Sequence, residues 1–344
     1  MPQEPQLTHE PLVSVVTPVY NGASYLRECI ESVLRQSYTH WDYTIVNNCS
    51  SDGTLDIARE YAAKDSRIRI HNNEKFVRVI ENYNIAYRQI SPQSKYVKLV
   101  AADDWLFPEC LERMVRLAEA HPSVAIVGAY RLEGNKVTAD GLPYPSTVLP
   151  GREVCRIWLM GGAYVFGAAT TIMFRADIVR SRHAFYNESN LHADGEVCLE
   201  LLEHHDFGFE HQVLTFTRVQ EGSLTSHSAS FQTNMPRRLY DLFTYGPKYL
   251  EPEQLQRKIA ERFQEYYAYL GEQVYRRRGP EFWKFHRGKL AALGYPLSKI
   301  RLTGCAANFV LVDLLLHPGR LAQAALRRFH RLVPKAAQST DRAD

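Results

Sequence analysis

Tyr96-Val-Lys-Leu-Val-Ala-Ala-Asp-Asp-Trp105 is a run of strand-forming residues that leads directly into two adjacent carboxylates. Pro108 follows, and the spacing of apolar residues after it predicts a helix from Glu109 to Ala120. Asp103 and Asp104 therefore lie at the C-terminal end of a strand, which is the edge where open α/β sheets bind ligands. Two neighbouring carboxylates repel each other unless a proton or a cation lies between them. A divalent cation that carries a diphosphate satisfies that need, whereas the pair taken alone is more simply explained as a polar turn before a helix.

Two earlier strands are followed by loops of the same polar character. Leu12–Thr17 runs into Tyr20-Asn-Gly22, and Tyr43–Val46 runs into the turn-rich segment Asn47–Gly53. Helical patterns separate the strands, so the sequence predicts an α/β fold with a mostly parallel sheet flanked by helices. Three polar loops then converge at one edge of the sheet, which makes a nucleotide-sized site the natural expectation.

Composition excludes several classes of protein. The 344 residues are 45% hydrophobic and 23% charged, and the net charge of +3 is too small to favour nucleic acid as a partner. The six cysteines form no CxxC pair, which favours free thiols over zinc ligands or disulfides. The N-terminus lacks the apolar core of a signal peptide, and no run reaches the ~18 apolar residues of a membrane span. We expect a cytoplasmic protein, with peripheral contact at the inner face of the membrane as a further hypothesis.

Three motifs in the right order carry a family resemblance. Val13-Ser-Val-Val-Thr-Pro-Val-Tyr-Asn-Gly22, Val46-Asn-Asn-Cys-Ser-Ser-Asp-Gly-Thr54 and Ala102-Asp-Asp-Trp105 together resemble a family 2 glycosyltransferase with the GT-A (Rossmann-like) fold. The resemblance runs over about residues 12–225. It implies an inverting transfer from a nucleotide-diphosphate sugar, assisted by a divalent metal, Mn²⁺ or Mg²⁺. A metal of that kind would stabilise the charge that develops on the leaving diphosphate.

The resemblance assigns the first site residues to the metal and the nucleotide. It implies Asp104 as the direct metal ligand, with Asp103 beside it on the metal or on the donor's ribose or sugar. The residues implied to build the nucleotide-sugar pocket are Pro18, Tyr20, Asn21, Asn47, Asn48, Asn82 and Arg218. Many relatives carry an Asp pair where this chain has Asn47 and Asn48. A UDP-sugar is the favoured donor, and dTDP or GDP stay open because amides donate as well as accept hydrogen bonds.

Two further assignments concern proton transfer and the diphosphate. Inversion needs a base for the acceptor hydroxyl, and the family places an acid at the start of a downstream helix. That position implies Asp194 as the base, with Glu196 as the second candidate. Arg218 belongs to an Arg-x4-Ser-x-Thr segment that resembles the part of relatives that closes over the diphosphate. The competing explanation for both acids is a favourable charge in the first helical turn.

The predicted domains follow the change in sequence pattern. Residues 1–11 form a flexible N-terminus, and 12–228 form the glycosyltransferase domain, with a nucleotide-binding half (12–130) and an acceptor half (131–228). Residues 229–335 form a helical C-terminal region, and 336–344 form a disordered tail.

The partners implied are a nucleotide-sugar donor and a glycan or lipid-linked acceptor, with surface polysaccharide synthesis as the expected use. Basic residues in the C-terminal helices suggest contact with anionic lipid, and packing in a homodimer explains them equally well. Two alternative functions stay open: a nucleotidyltransferase acting on sugar phosphates, and a non-catalytic nucleotide- or sugar-binding module. The chain lacks the Gly-rich basic loop with which the first usually opens, and the second would need neither Asp104 nor Asp194.

Overall fold

The computed structural model describes residues 10–220, 228 and 230–317. Within these, residues up to 230 and 241–258 form one compact unit, and residues 231–240 and 259–317 form a second. The predicted flexible residues 1–9, the segment that holds Ser223 and Thr225, and the predicted tail 336–344 lie outside the described residues.

The first part of the sheet is parallel and alternates with helices. β1 has the sequence VSVVTPV and is buried at every position, as expected for β-branched residues covered on both faces. The strands lie in the order β3-β2-β1-β4. Their bounds, with those of the intervening helices, are β1 Val13–Val19, α1 Leu26–Leu34, β2 Trp41–Asn47, α2 Thr54–Lys64, β3 Ile68–Asn72, α3 Val79–Arg88 and β4 Tyr96–Leu99.

The second part of the sheet adds antiparallel strands to this core. The sheet continues β4-β9-β6-β10-β5, with β7 paired to β6 and β8 paired to β10. The antiparallel ladders join two or three residue pairs each, whereas β6 and β10 form a long parallel ladder. The bounds are β5 Trp105–Leu106, α4 Cys110–Ala120, β6 Val124–Glu133, β7 Lys136–Thr138, β8 Val148–Leu149, α5 Gly151–Leu159, β9 Met173–Arg175, α6 Ala176–Arg180, α7 Ala193–Leu201 and β10 Asp206–Thr217. The predicted fold class, a mostly parallel α/β sheet flanked by helices, is confirmed.

Two local predictions from the sequence differ from the structure. The Gly, Pro, Asn and Thr content of residues 133–151 predicts a connecting or lid segment, whereas the structure contains β7 and β8 there, which are too short to show a periodic pattern. The sequence of Thr170–Phe174 also predicts a strand, but in the structure this strand begins only at Met173, because Ala169–Thr171 forms a 3-10 turn. The Thr171 hydroxyl accepts a hydrogen bond from the Ala168 main-chain nitrogen (3.1 Å), which stabilises the turn.

Helices make up the described chain after residue 230. In the second compact unit the buried Tyr266 and His286 side chains are hydrogen-bonded at 2.5 Å and packed against Phe282. No helix among the described residues is long and apolar enough to span a membrane. The six cysteines all lie in the described ranges and are free thiols. The helices are α8 Asn234–Thr244, α9 Gly246–Tyr249, α10 Pro252–Tyr275, α11 Pro280–Ala292 and α12 Lys299–Leu316.

Candidate functional site

A cleft of about 480 Å³ opens at the C-terminal ends of β1 and β4, within the first compact unit. The 3-10 turn and the end of β10 form its other side. Most of the predicted site residues line it, namely Pro18, Tyr20, Asn21, Asn48, Asn82, Asp103, Asp104 and Arg218. Asn47, Asp194 and Glu196 are not among its described lining residues. Segments that are far apart in the sequence thus meet at the sheet edge expected for a ligand.

Asp104 lies at the bottom of the cleft and is only 4% exposed. Its Oδ2 accepts hydrogen bonds from the hydroxyls of Thr170 (2.6 Å) and Thr217 (3.4 Å), and its Oδ1 accepts one from the Arg218 main-chain nitrogen (3.1 Å). Burial and the neighbouring charge of Asp103 nevertheless raise the pKa of Asp104 to about 7. An ionised Asp104 is therefore costly in the protein alone, and a nearby cation would relieve that cost.

Asp103 is more accessible and faces the end of β10. Its Oδ2 accepts a hydrogen bond from the Gln220 side-chain amide (2.8 Å), and its carbonyl accepts one from Arg218 Nε (3.2 Å). Trp105 follows and stacks on Phe216, with ring centroids 3.6 Å apart. The strand after the acids, β5, thereby packs against β10, which ends directly before Arg218, and this fixes both acids relative to that arginine.

The loops after β1 and β2 are joined by hydrogen bonds. Asn21 adopts a φ of +49°, and its Oδ1 accepts a hydrogen bond from the Ser51 main-chain nitrogen (2.9 Å). The Gly22 nitrogen donates to the Thr54 hydroxyl (2.8 Å). A Cβ at Gly22 would lie 2.5 Å from a Val19 methyl carbon, so this close approach requires glycine. These hydrogen bonds hold the two loops together where Asn21 and Gly22 line the cleft.

Tyr20 projects from the first loop with 52% of its surface exposed. Its ring meets that of Phe76, which is 58% exposed, edge-to-face at 4.8 Å. Two exposed aromatic rings side by side form a surface that a planar ring can stack on. Tyr20 was predicted to contact the base, whereas Phe76 belongs to a segment without a motif and was not predicted.

The amides predicted to contact the nucleotide are engaged within the protein. Asn48 donates to the Val77 carbonyl (2.9 Å) and accepts from the Val77 nitrogen (3.0 Å). Asn47 donates to the Asn72 side chain (3.1 Å). Asn82 accepts from the Asn73 side chain (2.8 Å). These asparagines therefore shape the wall of the cleft by holding the chain after β3 against the second loop.

Asp194 lies in the first turn of α7, part-buried, as the sequence predicted for an acid at a helix start. Its charge acts on Tyr83, which lines the cleft. Burial raises the pKa of Tyr83, and the charges of Asp103, Asp104 and Asp194 raise it further. Because Tyr83 also lines the cleft, all three carboxylates act on one side chain at its wall.

Glu196 has a different environment, although it lies only two residues further along α7. It is 4% exposed, and its carboxylate accepts hydrogen bonds from Asn187 (3.3 Å), Asn190 (2.8 Å) and the Tyr245 hydroxyl (3.3 Å). A carboxylate with three donors is held in one orientation. Glu196 thus ties the segment before α7 to the helix.

Several residues of the site were not found from the sequence. Thr170 and Thr217 bind Asp104, Tyr83 lines the cleft, and Gln220 binds Asp103. Each is a single polar residue in a segment without a motif. The one available signal concerned Thr217. Successive side chains of a strand point to opposite faces, so the pattern along β10 predicts which of its residues share a face with Thr217.

Comparison with known proteins agrees with the geometry. Residues 14–180 match the family model for Glycosyl transferase family 2. A Bacillus subtilis (strain 168) protein with the provisional name glycosyltransferase EpsE is 33% identical over 172 residues, which cover 50% of this chain and 59% of EpsE. A second protein of that strain, provisionally named teichuronic acid biosynthesis glycosyltransferase TuaG, is 38% identical over 39% of this chain and 51% of TuaG. The chain thus spans between half and three fifths of the length of these relatives.

Solved structures share the fold. A fragment of S. aureus TarS in complex with UDP-GlcNAc superimposes with a TM-score of 0.55 at 17% identity, over 73% of this chain and 71% of the other. The mannosyltransferase PcManGT from Pyrobaculum calidifontis, in complex with GDP-Man and Mn²⁺, gives a TM-score of 0.55 at 15% identity, over 90% and 87% of the two chains. With the ordered motifs, the sheet topology and the family match in agreement, residues 14–180 form a glycosyltransferase family 2 domain, and the chain has the GT-A fold.

Proposed function

We propose that the protein is an inverting, metal-assisted glycosyltransferase that moves a sugar from a nucleotide-diphosphate sugar to an acceptor hydroxyl. The observation that carries the proposal is the meeting of Asp103, Asp104 and Arg218 in one cleft at the C-terminal edge of the sheet. Two carboxylates and a guanidinium suit a diphosphate that arrives with a divalent cation.

The residues present fit a divalent metal that is shared with the substrate. The described residues contain no cluster of three or more His, Cys, Asp or Glu side chains that could hold a metal by themselves. Mg²⁺-type ions commonly take one or two carboxylates and fill the other positions with phosphate oxygens and water. Asp104 and Asp103 would hold the ion, whose chemistry would be to neutralise charge on the leaving diphosphate. The raised pKa of Asp104 supports this assignment, because burial disfavours the ionised carboxylate and a bound cation would stabilise it.

Asp194 is the proposed general base. It would accept the proton of the acceptor hydroxyl as that oxygen attacks the sugar. The choice between Asp194 and Glu196 rests on their surroundings. Glu196 is buried and its carboxylate accepts the hydrogen bonds described above, whereas Asp194 is part-buried and its charge acts on Tyr83, which lines the cleft. In this proposal Glu196 positions the start of α7, and Arg218 binds the diphosphate.

The proposed donor is a UDP-sugar, with GDP and dTDP as alternatives. Tyr20 would stack against the base, and Asn48 and Asn82 would shape the pocket around it. The solved structures with this fold were obtained with UDP-GlcNAc in one case and GDP-Man in the other, which supports a nucleotide-sugar donor. The name of TuaG supports surface polysaccharide synthesis, with a glycan or lipid-linked acceptor. We propose the domain limits 12–228 for this activity, with the acceptor bound by 131–228.

A nucleotide panel tests the proposal. Wild-type protein is incubated with UDP, GDP and dTDP and their common sugar derivatives, with and without Mn²⁺, and both thermal stability and released nucleotide are measured. We expect one nucleoside diphosphate to raise the melting temperature in a Mn²⁺-dependent manner and its sugar derivative to be turned over. Stabilisation by no nucleotide in any metal would refute the proposal. Release of pyrophosphate from a nucleoside triphosphate and a sugar phosphate would instead identify a nucleotidyltransferase.

We further propose peripheral contact of α12 with anionic lipid on the cytoplasmic side. This helix has large exposed apolar residues in Ile300, Leu311, Leu315 and Leu316, and it begins with Lys299. An apolar helix face beside basic residues suits a lipid surface. Co-sedimentation with anionic liposomes should be lost in Leu311→Asp/Leu315→Asp and retained in Val137→Asp, an exposed apolar position of the first unit. Undiminished binding would contradict lipid contact through this helix, and a dimer that dissociates in the double variant would favour the homodimer instead.

A further inference from the structure

Arg218 is the one cationic side chain among the described residues that line the cleft, where Asp103 and Asp104 supply negative charge. A diphosphate entering this cleft therefore depends on Arg218 for attraction by the protein itself. Its main chain is fixed by the hydrogen bond to Asp104 (3.1 Å), and its Nε by the carbonyl of Asp103 (3.2 Å). The base of the side chain is tethered, so only the terminal nitrogens can change partner.

Those terminal nitrogens point to an acid outside the cleft. Arg218 Nη2 donates to Glu28 Oε2 on α1 at 2.5 Å. Glu28 does not line the cleft. It lines a neighbouring surface cavity of about 550 Å³, with Arg27, Glu31, Arg35 and Trp105. The guanidinium lies over the rings of Tyr25 (4.5 Å) and Trp105 (5.3 Å), between the two cavities.

The ion pair between Arg218 and Glu28 is weak enough for another anion to replace Glu28. The Glu28 side chain is 54% exposed and that of Arg218 is 25% exposed, and ion pairs in such settings are weak. A diphosphate offers more negative charge and a bidentate match to the guanidinium fork. The tethers to Asp103 and Asp104 would survive the exchange, so the movement needed is confined to the end of one side chain.

We propose that Glu28 competes with the donor's diphosphate for Arg218 and releases the arginine when that anion binds. The inference rests on the proposed function and adds a residue that controls diphosphate affinity. The same exchange in reverse follows transfer, when Glu28 recaptures Arg218 and weakens the hold on the departing nucleoside diphosphate. Glu28 is a positioning residue, since it acts through Arg218.

The test compares two charge removals on the same helix. Glu28→Gln removes the competitor, while Glu31→Gln removes an equal charge one turn further along, where it pairs with Arg35. Calorimetric titrations use UDP, inorganic pyrophosphate and uridine, each with Mg²⁺. An exposed ion pair contributes up to about 1 kcal/mol, so Glu28→Gln should bind UDP and pyrophosphate about two- to fivefold more tightly. Glu31→Gln should match the wild type, and uridine affinity should not change in either variant.

A double-mutant cycle separates competition from a general field effect. In an Arg218→Gln background, Glu28→Gln should no longer change pyrophosphate affinity, because the group that it competes for is absent. Stronger product inhibition by UDP in Glu28→Gln gives a second readout that a purely structural role would not produce. Equal affinities for Glu28→Gln and Glu31→Gln, or weaker binding by Glu28→Gln, would overturn the inference alone. A wild type that binds neither pyrophosphate in these titrations nor UDP, GDP or dTDP in the nucleotide panel would overturn the proposed function and the inference together.

Discussion

The Asp104 carboxylate lies 3.1 Å from the main-chain nitrogen of Arg218, and the hydrogen bond between them joins the residue just before β5 to the residue just after β10. The acid proposed to hold the metal and the arginine proposed to hold the diphosphate are therefore set at a fixed separation by the backbone. A change at Asp104 should disturb the position of Arg218, and non-additive effects are expected when both are altered.

Asp104→Asn should abolish most of the metal-dependent turnover while the protein stays folded. Losing charge stabilisation of about 3 kcal/mol corresponds to a rate loss of about 100-fold. The amide can still accept from the Arg218 nitrogen, and it removes a buried charge, so thermal stability without metal should not fall. Nucleotide release with and without Mn²⁺ measures the first effect. Asp56→Asn, on an exposed part of α2, is the matched control, and unchanged turnover in Asp104→Asn would remove the metal assignment.

Asp194→Asn and Glu196→Gln should separate the proposed base from its supporting residue. Loss of a general base lowers kcat by about 10²–10⁴-fold, and donor affinity should not change, because Asp194 is not among the residues that line the cleft. Glu196→Gln should lower thermal stability and reduce kcat by a smaller factor, since its hydrogen bonds hold the segment before α7. The pH profile distinguishes the two: only Asp194→Asn should lose the fall of kcat at low pH, because a general base must be deprotonated to accept a proton. The opposite pattern would exchange their roles.

Asn84 should contribute strongly to the stability of the first unit. It is 1% exposed, and its amide both accepts from the Tyr186 nitrogen (2.7 Å) and donates to the Tyr186 carbonyl (2.8 Å). Asn84→Ala leaves two buried backbone groups without partners, at a cost of about 2 kcal/mol or more in unfolding free energy. Urea unfolding measures the loss. Asn135→Ala, at an exposed turn position, should stay within about 0.5 kcal/mol of the wild type.

His286 should make the stability of the second unit depend on pH. Burial lowers its pKa to about 4, from 6.5 for an ordinary histidine. Between these values the unfolded chain binds a proton that the folded chain does not, so the stability is present above pH 6.5 and is lost as the pH falls towards 4. The difference in melting temperature between the wild type and His286→Phe, followed from pH 7 to pH 4, isolates this contribution. NMR titration of the His286 ring with an ordinary midpoint would contradict it.

The sequence predicted the parts of the site that lie in continuous motifs. Asp103, Asp104 and Tyr20 each follow a strand with a clear pattern, and all three lie where the parallel sheet brings its strand ends together. The partners of Asp104 could not be found in the same manner. Thr170 and Thr217 lie 66 and 113 residues from it in the sequence, and a lone threonine in a turn or at the end of a strand carries no motif spacing to interpret.

The asparagines illustrate a different limit. Asn48 and Asn82 lie at the cleft as expected, yet their amide groups hold neighbouring main-chain and side-chain groups. An amide donates and accepts equally well toward a ligand or toward its own protein. Residue type and position therefore predicted the location of these side chains, while the direction of their hydrogen bonds depended on the chain after β3, which has no motif.

The place of β9 in the sheet has a consequence for engineering. This strand lies between β4 and β6 and pairs with both, although it comes about 40 residues after β6 in the chain. A fragment that ends at residue 130 would leave the facing edges of β4 and β6 unpaired, and would expose them to association with other chains. Chimaeric enzymes that graft a new acceptor region onto this donor site should therefore retain Met173–Arg175 from the original chain.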